Sequence, residues 1–171
     1  VSAPEEAARP ATAADRDPIV ALAGRALAEL APTRGGEVWR RREARPEPLG
    51  ASIDAALAEA ERPRGATFVV VGTLDDVIVG YGVVSEEALR DGARLGVVED
   101  IYVEPDARGV GVGEAVMDAL LAWCEARGCV GVDALALPGN RATKNFFERF
   151  GLTARAIVVH RRLAAGGAAD P

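Results

Sequence analysis

The stretch that most restricts how this chain can fold is VVEDIYVEPDARGVGVG, residues 97–113. Val97 to Val103 has the β-branched and aromatic content of a strand. Pro105 ends it, and R-G-V-G-V-G (Arg108 to Gly113) then opens directly into a segment whose apolar residues recur at helical spacing. A strand, a tight glycine turn and a helix are therefore consecutive neighbours in a layered fold. The first turn of a helix leaves several N–H groups without partners and carries about half a unit of positive charge, so such a loop can grip a diphosphate. Glycines let the anion approach the backbone without Cβ atoms in the way. A plain glycine turn is the alternative reading.

Spacing excludes the commoner phosphate loops. A G-x-G-x-x-G fingerprint starting at Gly109 needs glycine where Glu114 stands, and one starting at Gly111 needs it where Val116 stands. No G-x-x-x-x-G-K-[ST] occurs, and the single lysine, Lys144, follows no glycine loop.

The remaining pattern supplies the elements around this loop. Ile19, Leu22, Ala23, Ala26, Leu27 and Leu30 mark a first helix, between Asp17 and Pro32. Residues 33–48 form a polar connection with one helical turn around Trp39, and a second helix spans about Ala51 to Glu61. TFVVVG (67–72) and VIVGYGVV (77–84), joined by Leu74–Asp75–Asp76, signal a β-hairpin. RLGVVEDIYV (94–103) is the strand before the loop, and a third helix runs from about Val112 to Arg127, stopped by Gly128. VGVDALAL (130–137) reads as a strand. Asn140 caps a fourth helix with Thr143, Phe146, Phe147 and Phe150 on its inner face, and TARAIVVHRRL (153–163) reads as a last strand. These elements, in the order α-α-β-β-β-α-β-α-β, describe a mixed sheet with helices on both faces.

Bulk properties narrow the functional classes. A net charge of −6 argues against nucleic acid as the main partner. No apolar run approaches the ~20 residues that span a bilayer, and the opening VSAPEEAARP lacks a basic-then-apolar leader pattern. Cys124 and Cys129 fit neither a disulfide scaffold nor C-x-x-C, so both are expected reduced, in a cytoplasmic protein. The single histidine, His160, has no ligand-like company, so no metal site is expected.

Arg-x-x-Gly-x-Gly after E-D-I-Y-V-E-P resembles the acetyl-coenzyme A loop of the GNAT superfamily of acyltransferases, and the match extends from about Val97 to Leu152. The resemblance implies an α/β (α+β) GNAT fold: a mixed, mostly antiparallel central sheet of about six strands with about four helices, here as a single domain over residues 10–163 between flexible ends at 1–9 and 164–171. The family usually has two strands after the fourth helix, and here only one clear strand fits; the missing edge is absent, very short or supplied by another subunit, so a homodimer is allowed.

The resemblance also implies roles. Acetyl-CoA is the acyl donor, with the backbone of Ile101, Tyr102 and Val103 pairing with its pantetheine arm like an added strand. Arg108, Gly109, Val110, Gly111, Val112, Gly113 and Glu114 hold the pyrophosphate, mostly through N–H groups. Arg108 has a structural alternative, pairing with Glu104 or Asp106. NRATKNFFERFGL (140–152) is similar to the family's second cofactor motif, N-x-x-A-x-x-F-Y-x-x-x-G-F; Asn140 matches the residue that often bonds pantetheine, and Asn145 and Lys144 face the nucleotide end. Phe147 stands where the family commonly has a proton-donating tyrosine, and packs beside the pantetheine instead; Tyr81, Tyr102 or a water are the substitutes.

Acyl transfer to an amine needs an unprotonated nitrogen, and an amine of lysine-like pKa costs roughly 4–5 kcal/mol to deprotonate at pH 7. Glu99 occupies the position where many GNAT enzymes place a base, acting directly or through a water, and strand alternation sends Asp100 to the opposite face unless a bulge intervenes. Acceptor signals conflict: Trp39 with Arg40, Arg41, Arg42 and Arg45 suits an anionic group, whereas Glu86, Glu87 and Asp91 suit a polyamine. A small-molecule primary amine is the leading acceptor, a protein N-terminus or lysine the nearest competitor, and a non-catalytic acyl-CoA sensor the alternative of a different class.

Overall fold

The computed structural model describes residues 5–163, and the run Val69-Val70-Val71 decides its layering. Successive strand residues face opposite sides of a sheet, yet all three valines are buried, so both faces must be covered. Five strands form one sheet in the order β1 (Glu6–Pro10), β2 (Thr67–Leu74), β3 (Val77–Ala88), β4 (Arg94–Val103), β5 (Gly131–Ala134). The first four pair antiparallel, and β5 runs parallel to β4. Helices α1 (Arg16–Leu30), α2 (Gly36–Arg42) and α3 (Leu49–Ala60) precede β2; α4 (Val112–Ala126) crosses from β4 to β5, and α5 (Arg141–Arg149) follows. This is the expected α/β class with a mostly antiparallel mixed sheet, built among the described residues from five strands and five helices.

On one face Val69, Val71, Tyr81, Val83 and Tyr102 pack against Ile19 and Leu22 of α1 and Ile53 and Leu57 of α3. On the other, Val70, Val84 and Val98 meet Val116, Met117, Leu120 and Cys124 of α4 and Phe147 of α5. The height of α4 above the sheet is set by glycines: a Cβ on Gly72 would lie 2.7 Å from Val112 and Val116 methyls, and one on Gly82 2.8 Å from Val116. Close backbone approach there fixes where α4 begins, and with it the glycine loop.

Three expectations change. Glu6 to Arg9, expected to fray, belong to β1, whose backbone pairs with β2 from Glu6↔Leu74 to Pro10↔Val70. Residues 153–163, expected as a strand, pair with no strand among the described residues, and Ile157, Val158 and Val159 are 85%, 81% and 90% exposed. β5 ends at Ala134, three residues short of the expected strand. The remaining ends expected to be flexible, residues 1–4 and 164–171, lie outside the described residues.

β1 is tied down by charge. Arg9 donates from Nη1 and Nη2 to the two oxygens of Asp15, both at 2.8 Å, and Thr12 N–H adds a third bond at 2.8 Å. These bonds, the arginine's first, lower the buried Asp15 carboxyl from 3.8 to about 2. A depressed folded pKa adds stability that is present above the unfolded value and lost as pH falls through the folded one. D15N is therefore expected to cost about 2 kcal/mol at pH 7, and urea denaturation should show the gap from wild type closing between about pH 4 and pH 2.

Candidate active site

The R-G-V-G-V-G turn places one valine out and one in. Val110 is exposed, whereas Val112 is fully buried against Val103 and Ala107, which anchors the loop to the core. Gly109 and Gly111 have φ of +78° and +98°, values that L side chains rarely adopt, and Gly111 directly precedes α4. The first bond of the helix runs from Ala115 N–H to Gly111 O, so the N–H groups of Val112, Gly113 and Glu114 have no backbone acceptor among the described residues. The Glu114 carboxylate turns away to Arg149 of α5 at 3.0 Å, which keeps its charge from opposing an anion at these donors.

Among the described residues, β4 has a partner on its β5 side only from Leu95 to Val98. Beyond Val98, where Ile101, Tyr102 and Val103 follow, that side is open, and a strand edge without a partner can accept an added one. The ladder with β3 also slips here: Val84 pairs with Val98 and Val83 with Asp100, leaving Glu99 as the extra residue of a bulge. The bulge re-phases the strand. Val98 stays on the α4 face, and Asp100 moves to the α1/α3 face beside Tyr81, which simple alternation would not give.

Glu99 and Asp100 are not separated as alternation predicts; one guanidinium meets both. Arg45, from the α2–α3 connection, donates from Nη2 to Glu99 Oε2 at 3.1 Å and from Nε to Asp100 Oδ2 at 2.5 Å. Its Nη1 reaches Ser52 Oγ at 3.1 Å. Burial pushes the Asp100 carboxyl above the ordinary range and Arg45 opposes that push. Burial likewise pushes the Tyr81 hydroxyl well above its usual value. Glu99 is the more accessible carboxylate, 39% exposed against 14% for Asp100.

Arg108 does not point forward from the loop. Its Nε donates to Val103 O at 2.8 Å, its two terminal nitrogens bind Glu29 of α1 at 3.0 and 2.8 Å, and it lies over the Tyr102 ring. Its ion-pair partner is Glu29, not the Glu104 or Asp106 expected for a structural role; Glu104 pairs with Arg25. The guanidinium locks the end of β4 to α1 and so braces the loop from behind. Glu86, read as part of an acidic rim, is engaged by Arg127 at 2.6 Å.

Asn140 caps α5, its Oδ1 accepting from Thr143 N–H at 3.1 Å, which leaves the amide nitrogen to donate elsewhere. Asn145 is exposed, Lys144 pairs with Glu148 at 2.5 Å, and Phe147 is buried under α4. Tyr81 and Tyr102 lie on the α1/α3 face, with their hydroxyls toward Asp100 and Glu29 respectively, so neither takes over the position of Phe147 on the α4 face. A cleft of about 640 Å³ opens between α1, α2 and the α2–α3 connection, lined among others by Leu27, Glu37, Arg40 and Arg45. Among the described residues no group of three or more His, Cys, Asp or Glu is placed to hold a metal ion, and no helix is long and apolar enough to cross a membrane.

A family model described as Acetyltransferase (GNAT) family matches residues 27–152, most of the chain and all of this site. The chain belongs to the GNAT acetyltransferase family. It is accordingly an acetyl-CoA-dependent N-acetyltransferase. Solved GNAT-like structures share its fold: an acetyltransferase of Trypanosoma brucei (21% identity, TM-score 0.64, covering 93% of this chain and 100% of that one) and glucosamine-6-phosphate N-acetyltransferase of Arabidopsis thaliana (20%, 0.67, 94% and 99%). A third is the aminoglycoside N-acetyltransferase AAC(6')-Iy in complex with CoA (15%, 0.68, 96% and 98%). A comparison with curated protein sequences finds no match. In this GNAT chain the residues not singled out from sequence are Glu29, Ser52 and the particular role of Arg45; each acts across at least seven residues of chain, and no local pattern marks it.

Proposed function

We propose that this GNAT enzyme acetylates a small primary amine, with Glu99 as the base that takes the amine proton directly or through a water. The observation that carries the reading is the bulge. It presents an accessible carboxylate at the point where β4 loses its β5 partner, just ahead of the residues expected to pair with the donor's pantetheine arm. Acetyl-CoA supplies the thioester; the N–H groups of Val112, Gly113 and Glu114 suit its diphosphate, and the open edge at Ile101 to Val103 suits its arm. Glu99 lowers the cost of freeing the nitrogen lone pair, which then attacks the thioester carbonyl while the thiolate departs. With phenylalanine at 147 no side-chain acid is proposed for the sulfur. A thiol of pKa near 8.5 leaves as an anion at a cost of only ~2 kcal/mol at neutral pH.

The test is thiol release from acetyl-CoA in the presence of spermidine, kanamycin, glucosamine-6-phosphate, lysine amide and a tetrapeptide with a free N-terminus. A rate increase with one of the small amines is expected. Release stimulated by the peptide alone would move the acceptor to protein, and binding of acetyl-CoA with no amine-dependent release would favour a sensor.

A further inference from the structure

Resting on the reading of Glu99 as base, we infer that Arg45 is a positioning residue that holds the Glu99 carboxylate toward the acceptor. Arg45 lies 54 residues before Glu99, in a connection that contributes a wall of the 640 Å³ cleft. Its side chain is 7% exposed, far less than Arg40 or Arg41 beside it. The guanidinium is seated on Asp100 through Nε and Nη2, steadied by Ser52 on α3, and lends the outer side of Nη2 to Glu99. The contacts are unequal: Asp100 receives two nitrogens and is buried, whereas Glu99 receives one and is more exposed.

This asymmetry divides the work. Asp100 keeps Arg45 in place, and Arg45 fixes one oxygen of Glu99 while the other, Oε1, accepts no hydrogen bond among the described residues. A carboxylate pinned at one oxygen by a permanent cation is restricted in rotation and offers its free oxygen to an incoming ammonium. Lysine cannot reproduce the arrangement, because a single ammonium does not span two carboxylates and a serine in the plane of a fork. Because the same residue lines the cleft, whatever enters the cleft meets the group that orients the base.

The experiment is a double-mutant cycle in the thiol-release assay, run with whichever panel amine gives the highest rate, on wild type, R45M, E99Q and R45M/E99Q. R45M is expected to lower kcat about 10- to 100-fold with the acetyl-CoA KM within about threefold. In the E99Q background the same change should alter kcat less than about threefold. R45K should recover only part of the loss. Should R45M fail to fold because Asp100 is left buried without its counter-ion, R45M/D100N removes that charge and is read in the same two backgrounds. An equal fall in both backgrounds, or none in wild type, overturns the assignment while leaving Glu99 as base. An E99Q enzyme at the wild-type rate overturns the base itself, and silence of every amine overturns the small-amine reading; the assignment of Arg45 falls with either.

Discussion

Glu99→Gln is expected to lower the rate of acetyl transfer about 10²- to 10⁴-fold while leaving acetyl-CoA affinity within about threefold. Glutamine keeps the length and shape of the side chain, so the bulge and the Asp100–Arg45 contact persist. What is lost is a proton acceptor in front of an amine whose deprotonation costs roughly 4–5 kcal/mol at neutral pH. The deficit should depend on the acceptor, because an amine of lower pKa arrives with more of its lone pair free and needs less help. Steady-state rates with a series of acceptors of graded pKa therefore provide the check: the ratio of wild type to E99Q should shrink as acceptor pKa falls. A ratio near one for an acceptor of pKa near 10 would remove Glu99 from the chemistry.

Gly111→Val should weaken acetyl-CoA binding at least about 100-fold. Residue 111 sits at φ +98°, where any L side chain is strained by roughly 1–2 kcal/mol, and a Cβ there would lie 2.9 Å from Glu6 Cγ and 3.1 Å from its Oε1. The exposed Glu6 side chain can swing aside, but the strained φ drives the backbone at residue 111 to rotate, and that rotation displaces the N–H groups of Val112, Gly113 and Glu114. Each charge-assisted bond to a diphosphate is worth ~1.5–3 kcal/mol, so misplacing two is enough for the predicted loss. Gly109→Ala is the control: φ is +78°, but nothing lies within 4 Å of the added Cβ, so only backbone strain is added. Calorimetry should rank affinities wild type, G109A, G111V in falling order. Equal binding by G111V would place the diphosphate somewhere other than this loop.

What sequence could disclose follows from whether a contact is local. β2, β3 and β4 are readable from short β-branched and aromatic runs bounded by turn residues, α4 because its apolar residues recur at helical spacing, and the start of α5 because Asn140 caps it within three residues. β1 carries no such pattern: EAARP is an edge strand with four of its five residues exposed, held by backbone pairing and by Arg9. The opposite holds at residues 157–159, where Ile-Val-Val has strand propensity but no partner strand among the described residues, and propensity alone makes no ladder. In the site, the glycine loop is legible from spacing, whereas Glu99 enters through the resemblance to the family. The Arg45–Asp100 and Arg108–Glu29 pairs join residues 55 and 79 apart, and a bulge is a property of two strands rather than of one.

That bulge has a consequence for how this chain can vary. Glu99 is the supernumerary residue in its ladder, and the residues on either side keep their faces because the bulge absorbs it. Deleting Glu99 would restore a regular pleat with Val98 still facing α4 and Asp100 still facing Arg45, whereas flattening the bulge with Glu99 retained would turn Asp100 toward the hydrocarbon interior beneath α4. Exchange or loss of residue 99 is therefore structurally cheap, so this position can change the chemistry without re-phasing the strand. Engineering of acceptor choice can therefore vary position 99 while the flanking faces stay fixed.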